Sequence, residues 1–174
     1  GIVAAGDSHV GYPGRSLRES DPYMCQNWKA GLAAVYAPEL TREAVWDALH
    51  SRYCYATTGV RIVLEFTVNG ERMGSVLEYA SGDDRLAVRD VNVSVHGTDA
   101  IQSVEVFKNN GLLRRIQPGS DTVELSLTDR NDPPPVRRDW YYVRVLQADG
   151  NAAWSSPIWV GPAGVVEPSR SRGE

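Results

Sequence analysis

Asp7-Ser8-His9 holds the residue types in this chain best suited to chemistry. A carboxylate and an imidazole sit one residue apart, just after a short apolar run at residues 2–5 and Gly6. Asp oxygen and His nitrogen are standard ligands for zinc, manganese or iron. A strand that ends in such a pair delivers both groups at its C-terminal end, where barrel enzymes place their reactive groups. Asp7 and His9 are therefore the candidate metal ligands. Tyr12 and Gly14, a few residues on, are candidates for a substrate loop, against the simpler reading that they only turn the chain.

The elements that must position these groups follow from pattern. Residues 1–5 read as a buried strand, and residues 10–30 as a long loop broken by Gly, Pro and Ser. Residues 31–37 form a second apolar, extended run. A helix follows, capped by Thr41, with Glu43 in its first turn and Leu40 and Val45 spaced as a hydrophobic staple. Val45, Ala48 and Leu49 predict a core-facing stripe, and the helix should stop near Arg52. From Val60 the apolar period changes to two. Ile62, Leu64, Phe66 and Val68 alternate with polar residues, and Asn69-Gly70 signals a hairpin. Leu86 and Val88 fall out of phase with Val91, Val93 and Val95, which predicts a β-bulge at Arg89-Asp90. Further strands are expected around Val104, Leu112 to Ile116, Val123 to Leu127, Tyr141 to Val145, and Trp154 to Val160.

Composition narrows the function. The chain has 174 residues, 42% of them hydrophobic, with a formal net charge of -4. Acidic and basic residues are interspersed, which disfavours nucleic-acid binding, since phosphate contacts need clustered Lys and Arg. No apolar run approaches the roughly 20 residues that span a bilayer, so no membrane partner is expected. No signal peptide is visible, and the expectation is a soluble protein of the cytoplasm or periplasm. The first residue is Gly rather than Met, which reads as a piece of a longer protein. The two cysteines, Cys25 and Cys54, form no C-x-x-C pair and read as ordinary thiols.

Gly6-Asp7-Ser8-His9, followed by Gly11-Tyr12-Pro13-Gly14, resembles the last metal-binding motif of the polymerase-and-histidinol-phosphatase (PHP) superfamily. The stretch from Leu40 to Leu49, then Tyr53 to Gly59, is similar to the closing segment of one PHP branch. The resemblance implies a metal-dependent hydrolase built on a TIM-like barrel with a C-terminal β-sandwich. It implies that Asp7 and His9 complete a cluster of divalent Zn, Mn or Fe ions. The substrate would be a small polar ester, phosphoester or amide, attacked by metal-bound water. The further family ligands are missing: the chain holds three His, and neither His50 nor His96 has the family's spacing. Gly6-Asp7-Ser8 also resembles the nucleophile motif of GDSL-type serine esterases, with Asp47 and His50 at their Asp-x-x-His spacing. A His at the end of a core-facing helix is poorly placed to reach Ser8, however.

The sequence thus predicts an α+β chain in three parts. Residues 1–59 are the end of an α/β barrel, 60–160 an immunoglobulin-like antiparallel β-sandwich, and 161–174 a flexible tail. The predicted function is the C-terminal part of a metal-dependent hydrolase. Alone, without its N-terminal barrel portion, it is expected to be inert, to hold no metal, and to be capable of forming a homo-dimer. The competing reading is a non-catalytic β-sandwich module for binding or self-association. Trp140, Tyr142, Trp154 and Trp159 are candidates for a sugar-binding platform in that case. Tyr141 fits the corner tyrosine of immunoglobulin-like folds.

Overall fold

Strict alternation decides most of the architecture. Along Val63–Val68 (β3) and Val88–His96 (β6) every second side chain is buried, and those side chains meet between two stacked sheets. The computed structural model describes residues 1–6 and 30–165. The other strands among these residues, in chain order, are Leu32–Val35 (β1), Cys54–Thr57 (β2), Glu71–Arg72 (β4), Val76–Tyr79 (β5), Ile101–Lys108 (β7), Gly111–Ile116 (β8), Thr122–Arg130 (β9), Asp139–Gln147 (β10), Ala152–Ser155 (β11) and Ile158–Pro162 (β12). Two short helices interrupt them, Arg42–His50 (α1) and Asp84–Ala87 (α2).

One sheet has four strands in the order β4-β3-β6-β9. The other has eight and is organised around β10. On one side β10 pairs with β7, which pairs with β8; on its other side it pairs with β11 and β12 in succession. The sheet runs on from β11 to β2 and β1, and from β12 to β5. The β5–β12 pair is parallel, and every other pair is antiparallel. Leu64, Phe66, Val91 and Val93 of the small sheet pack with Val104, Val106, Val143 and Ile158 of the large one. Tight turns match their residues: Asn69 and Gly70 both have positive φ, as do Asn109 and Asn110.

This is an all-β, two-sheet fold, and the predicted α+β class is corrected. Residues 32–57 form no barrel remnant; β1 and β2 continue the large sheet, pairing with each other and with β11. Two tyrosines fasten that extension to the small sheet. Tyr36 donates from its hydroxyl to the Leu64 carbonyl at 2.5 Å, and Tyr55 to the Ile62 carbonyl at 2.9 Å. Burial raises the pKa of both phenols, so both stay protonated donors. Residues 1–6 belong to no strand and are mostly exposed, contrary to the buried strand expected there.

The bulge predicted at Arg89-Asp90 is also absent. The β6–β9 register runs unbroken from Val88↔Arg130 to His96↔Thr122. Arg89 occupies an inward position in phase with Val91, Val93 and Val95 and is fully buried. The apparent slip in the pattern was a charged side chain standing in a core position.

Candidate interaction surface

Helix α1 begins as its sequence dictates. Thr41 is the N-cap, and its Oγ1 accepts from the Ala44 amide at 3.2 Å. The helix closes through Ser51, whose amide bonds back to the Asp47 and Leu49 carbonyls. Arg52 then turns the chain with φ +63, a conformation that usually belongs to Gly or Asn. Its side chain is committed: Nε donates to the Gly74 carbonyl at 3.0 Å, and the guanidinium lies 5.5 Å from the Trp159 ring centroid. Gly74 is required there, because a Cβ at that position would meet the Arg52 carbonyl oxygen at 2.4 Å.

The expected core-facing stripe is not what the helix buries. Ala48 alone is buried in α1. Leu40 is 97% exposed, Trp46 67% and Leu49 40%. With Val45 they line a shallow, almost wholly apolar depression on the outer side of the helix. The His50 ring stacks on Trp46 with centroids 6.4 Å apart and planes 23° from parallel. The other flank of α1 is acidic. Glu39, Glu43 and Asp47 line a groove of about 640 Å³ that also contains Tyr53 and Arg72. The α1 region therefore presents an apolar face beside a negative one.

Arg52 connects this helix to the outer face of the large sheet. There, Phe107 and Tyr142 stack with ring centroids 4.7 Å apart and planes 7° from parallel. Trp140 stacks on Tyr142 at 5.7 Å and 13°. The Arg144 guanidinium covers Phe107 at 5.4 Å. Trp154 and Trp159 stand on the neighbouring strands, opposite Arg144 and Trp140 respectively. All five aromatic residues are half-buried.

The other functional-looking group lies inside the molecule, and sequence reasoning missed it. Arg89 Nη1 donates to Asp139 Oδ2 at 2.7 Å and to the Tyr141 hydroxyl at 2.6 Å. Tyr141 in turn donates to Asp129 Oδ2 at 2.5 Å. Lys108 binds Asp129 at 2.7 Å and also contacts Asn131, while Asn109 donates to Asp139 Oδ1 at 2.6 Å. Burial works to raise the pKa of Asp129, but donation from Lys108, Tyr141 and Asn131 outweighs it and holds the carboxyl below the usual range. Burial, reinforced by the bond to Asp129, raises the pKa of Tyr141 strongly, so it remains a phenol. Two cations and two carboxylates thus tie the small sheet to the large one. Tyr141 forms a side-chain bridge between the sheets here. The one legible signal was the break in alternation at Arg89.

Asp7, Ser8, His9, Tyr12, Gly14 and Cys25 lie outside the described residues. Among the described residues, no group of three or more His, Cys, Asp or Glu could hold a metal ion. No helix among them is long and apolar enough to cross a membrane.

Residues 5–80 match a family described as a protein of unknown function, DUF3604. The chain is 38% identical over 144 residues to an uncharacterized protein of Chlamydia pneumoniae. It is 34% identical over 146 residues to an uncharacterized protein of Chlamydia trachomatis and equally to one of Chlamydia muridarum. The matches cover 76% of this chain for the first and 78% for the other two, but 23% of each relative. The chain therefore spans about a quarter of the length of the curated relatives it matches. No solved structure matches it. These comparisons and the two-sheet architecture overturn the resemblance to the PHP superfamily, and with it the TIM-barrel and hydrolase assignments. What the chain is similar to is DUF3604, over its first 80 residues, and the longer chlamydial proteins.

Proposed function

We propose that this chain is a non-catalytic β-sandwich module that docks onto another protein surface through the outer face of α1. The observation that supports it is the exposure of Leu40, Trp46 and Leu49 on a well-capped helix. A helix normally turns its apolar stripe to the core, and an exposed apolar patch marks a contact site. Covering Trp46 and Leu49 would stabilise a complex by about 1.5–3 kcal/mol for each side chain fully buried. The acidic flank at Glu39, Glu43 and Asp47 calls for a partner whose apolar seat is rimmed by Lys or Arg. The chlamydial relatives extend well beyond the matched 23%, and that remaining length is where a partner surface is sought.

A sugar platform fits the outer sheet face less well. Sugars stack on free ring faces, and here Phe107, Tyr142 and Trp140 spend theirs on one another, with Arg144 and Arg52 covering others.

The test titrates this chain against the part of the Chlamydia pneumoniae relative outside the matched stretch, following the heat of binding by calorimetry. The relative's own matched stretch serves as the control. Saturable binding, weakened at least tenfold in Trp46→Ser/Leu49→Ser, is the expected outcome. Equal binding by that double variant would sink the reading, as would binding by the control but not by this chain.

A further inference from the structure

The edges of the two sheets are not equally protected. β4 has two residues, and β1 and β5 have four each. β8 is irregular in its pairing with β7 and carries Arg114 and Arg115. β9 differs from all of them. It has nine residues, pairs with β6 without a register shift, and contains neither Pro nor Lys. Among the described residues its far side makes no backbone hydrogen bond to another strand. A long, regular, unpaired edge is a template for strand addition.

We infer that β9 pairs antiparallel with β9 of a second copy of this chain, with Ser126 on the two-fold axis. The sequence of β9 is self-complementary in that register. Leu125 of one copy falls opposite Leu127 of the other, so the half-buried Leu127 gains apolar cover on the inner face. On the outer face Glu124 falls opposite Thr128 and diagonal to Arg130, within reach of an ion pair, and this occurs twice by symmetry. No like charges meet. In this register Asp129 falls opposite Val123, and its carboxylate is already engaged by Lys108 and Tyr141, so the paired stretch ends before it. The outward side chains Glu124, Ser126 and Thr128 bond laterally to Ser94, Asn92 and Asp90 of β6, which leaves the edge itself open. Pairing would join the two four-stranded sheets into one of eight strands. Asp129, an inward charge near the end of β9, limits the pairing to the stretch around Ser126.

This contact does not depend on the α1 face, and the experiment separates the two. Analytical ultracentrifugation of the whole chain should show a concentration-dependent dimer. Ser126→Lys places two ammonium groups at the axis on an exposed position. It should raise the dimer dissociation constant about tenfold or more, since like charges directly opposite oppose pairing. Its melting temperature at low protein concentration should match that of the parent chain. Trp46→Ser should dimerise as the parent chain does. In a Cys25→Ser background, Ser126→Cys should form an intermolecular disulfide far faster than Thr122→Cys, because only residue 126 meets its own copy. A strict monomer at the highest attainable concentration would overturn the inference. So would unimpaired dimerisation of Ser126→Lys, or equal cross-linking at 122 and 126.

Discussion

The Arg89 network and the α1 face invert the usual partition of residue types in opposite ways. At one, four charged side chains lie between two sheets; at the other, Leu40, Trp46 and Leu49 face solvent. The first inversion balances its charge within the molecule, although Arg89 Nε and Nη2 make no hydrogen bond. Arg89 finds Asp139 and Tyr141, Lys108 finds Asp129, and the charges balance inside the molecule. The second is open, because nothing among the described residues covers the outer side of the helix. A buried charge with partners serves the fold's own geometry, whereas exposed apolar surface serves something outside it. Removing a residue from the first should be felt as stability, and from the second as binding.

The largest effect is expected from Asp139→Ala. It strands Arg89 without its carboxylate and should cost about 3–5 kcal/mol in denaturant unfolding. The double variant Arg89→Met/Asp139→Leu should recover most of that loss, because buried ion pairs exchange for apolar packing at little net cost. A double variant as unstable as Asp139→Ala would mean that the network contributes more than the balancing of its own charges.

Acid should sharpen the same contrast. The folded-state pKa of Asp129 lies below its ordinary value of 3.8. Its contribution to stability is therefore present above the unfolded-state pKa and is lost as pH falls through the lower, folded-state value. Stability measured from neutral pH into that acidic range should decline, and Asp129→Asn should flatten the decline. An unchanged slope in Asp129→Asn would assign acid sensitivity to another carboxylate.

Thr41→Ala should have a smaller effect, about 1 kcal/mol, from loss of the bond to the Ala44 amide. Hydrogen exchange should place that loss within α1, since the helix buries only Ala48 and is weakly coupled to the sheets. The smallest effect belongs to Trp46→Ser, within about 0.5 kcal/mol of the parent chain in unfolding. A large destabilisation there would show that the α1 face is already covered within the chain, and the comparison between the two regions would break.

How far the sequence reaches can be seen from these residues. Thr41 announced the helix, and the structure starts α1 directly after it. The alternation in Leu64, Phe66 and Val68, in Val123 and Leu125, and in Tyr141, Val143 and Val145 returned as inward-facing strand positions. The site is another matter. Nothing local distinguishes a stripe that faces a core from one that faces a partner, so Val45 and Leu49 were misread. The segments flanking α1 are strands of the large sheet, and no local pattern separates such strands from those of a barrel. Arg89 mimics a bulge in the pattern, because alternation alone gives no place to a charge at a core position.

The sequence by itself determined where β3, β6, β7, β9 and β10 run, where Asn69-Gly70 turns the chain, and where α1 begins, because those outcomes rest on backbone preference and on neighbours a few residues away. Tertiary structure decided that β1 and β2 join β11, that β5 lies parallel to β12, and that Arg89 meets Asp139 across 50 residues. It also decided which side of α1 stays uncovered. Each of these depends on which distant surfaces come together, and the stabilisation from burial and charge pairing appears only when they do.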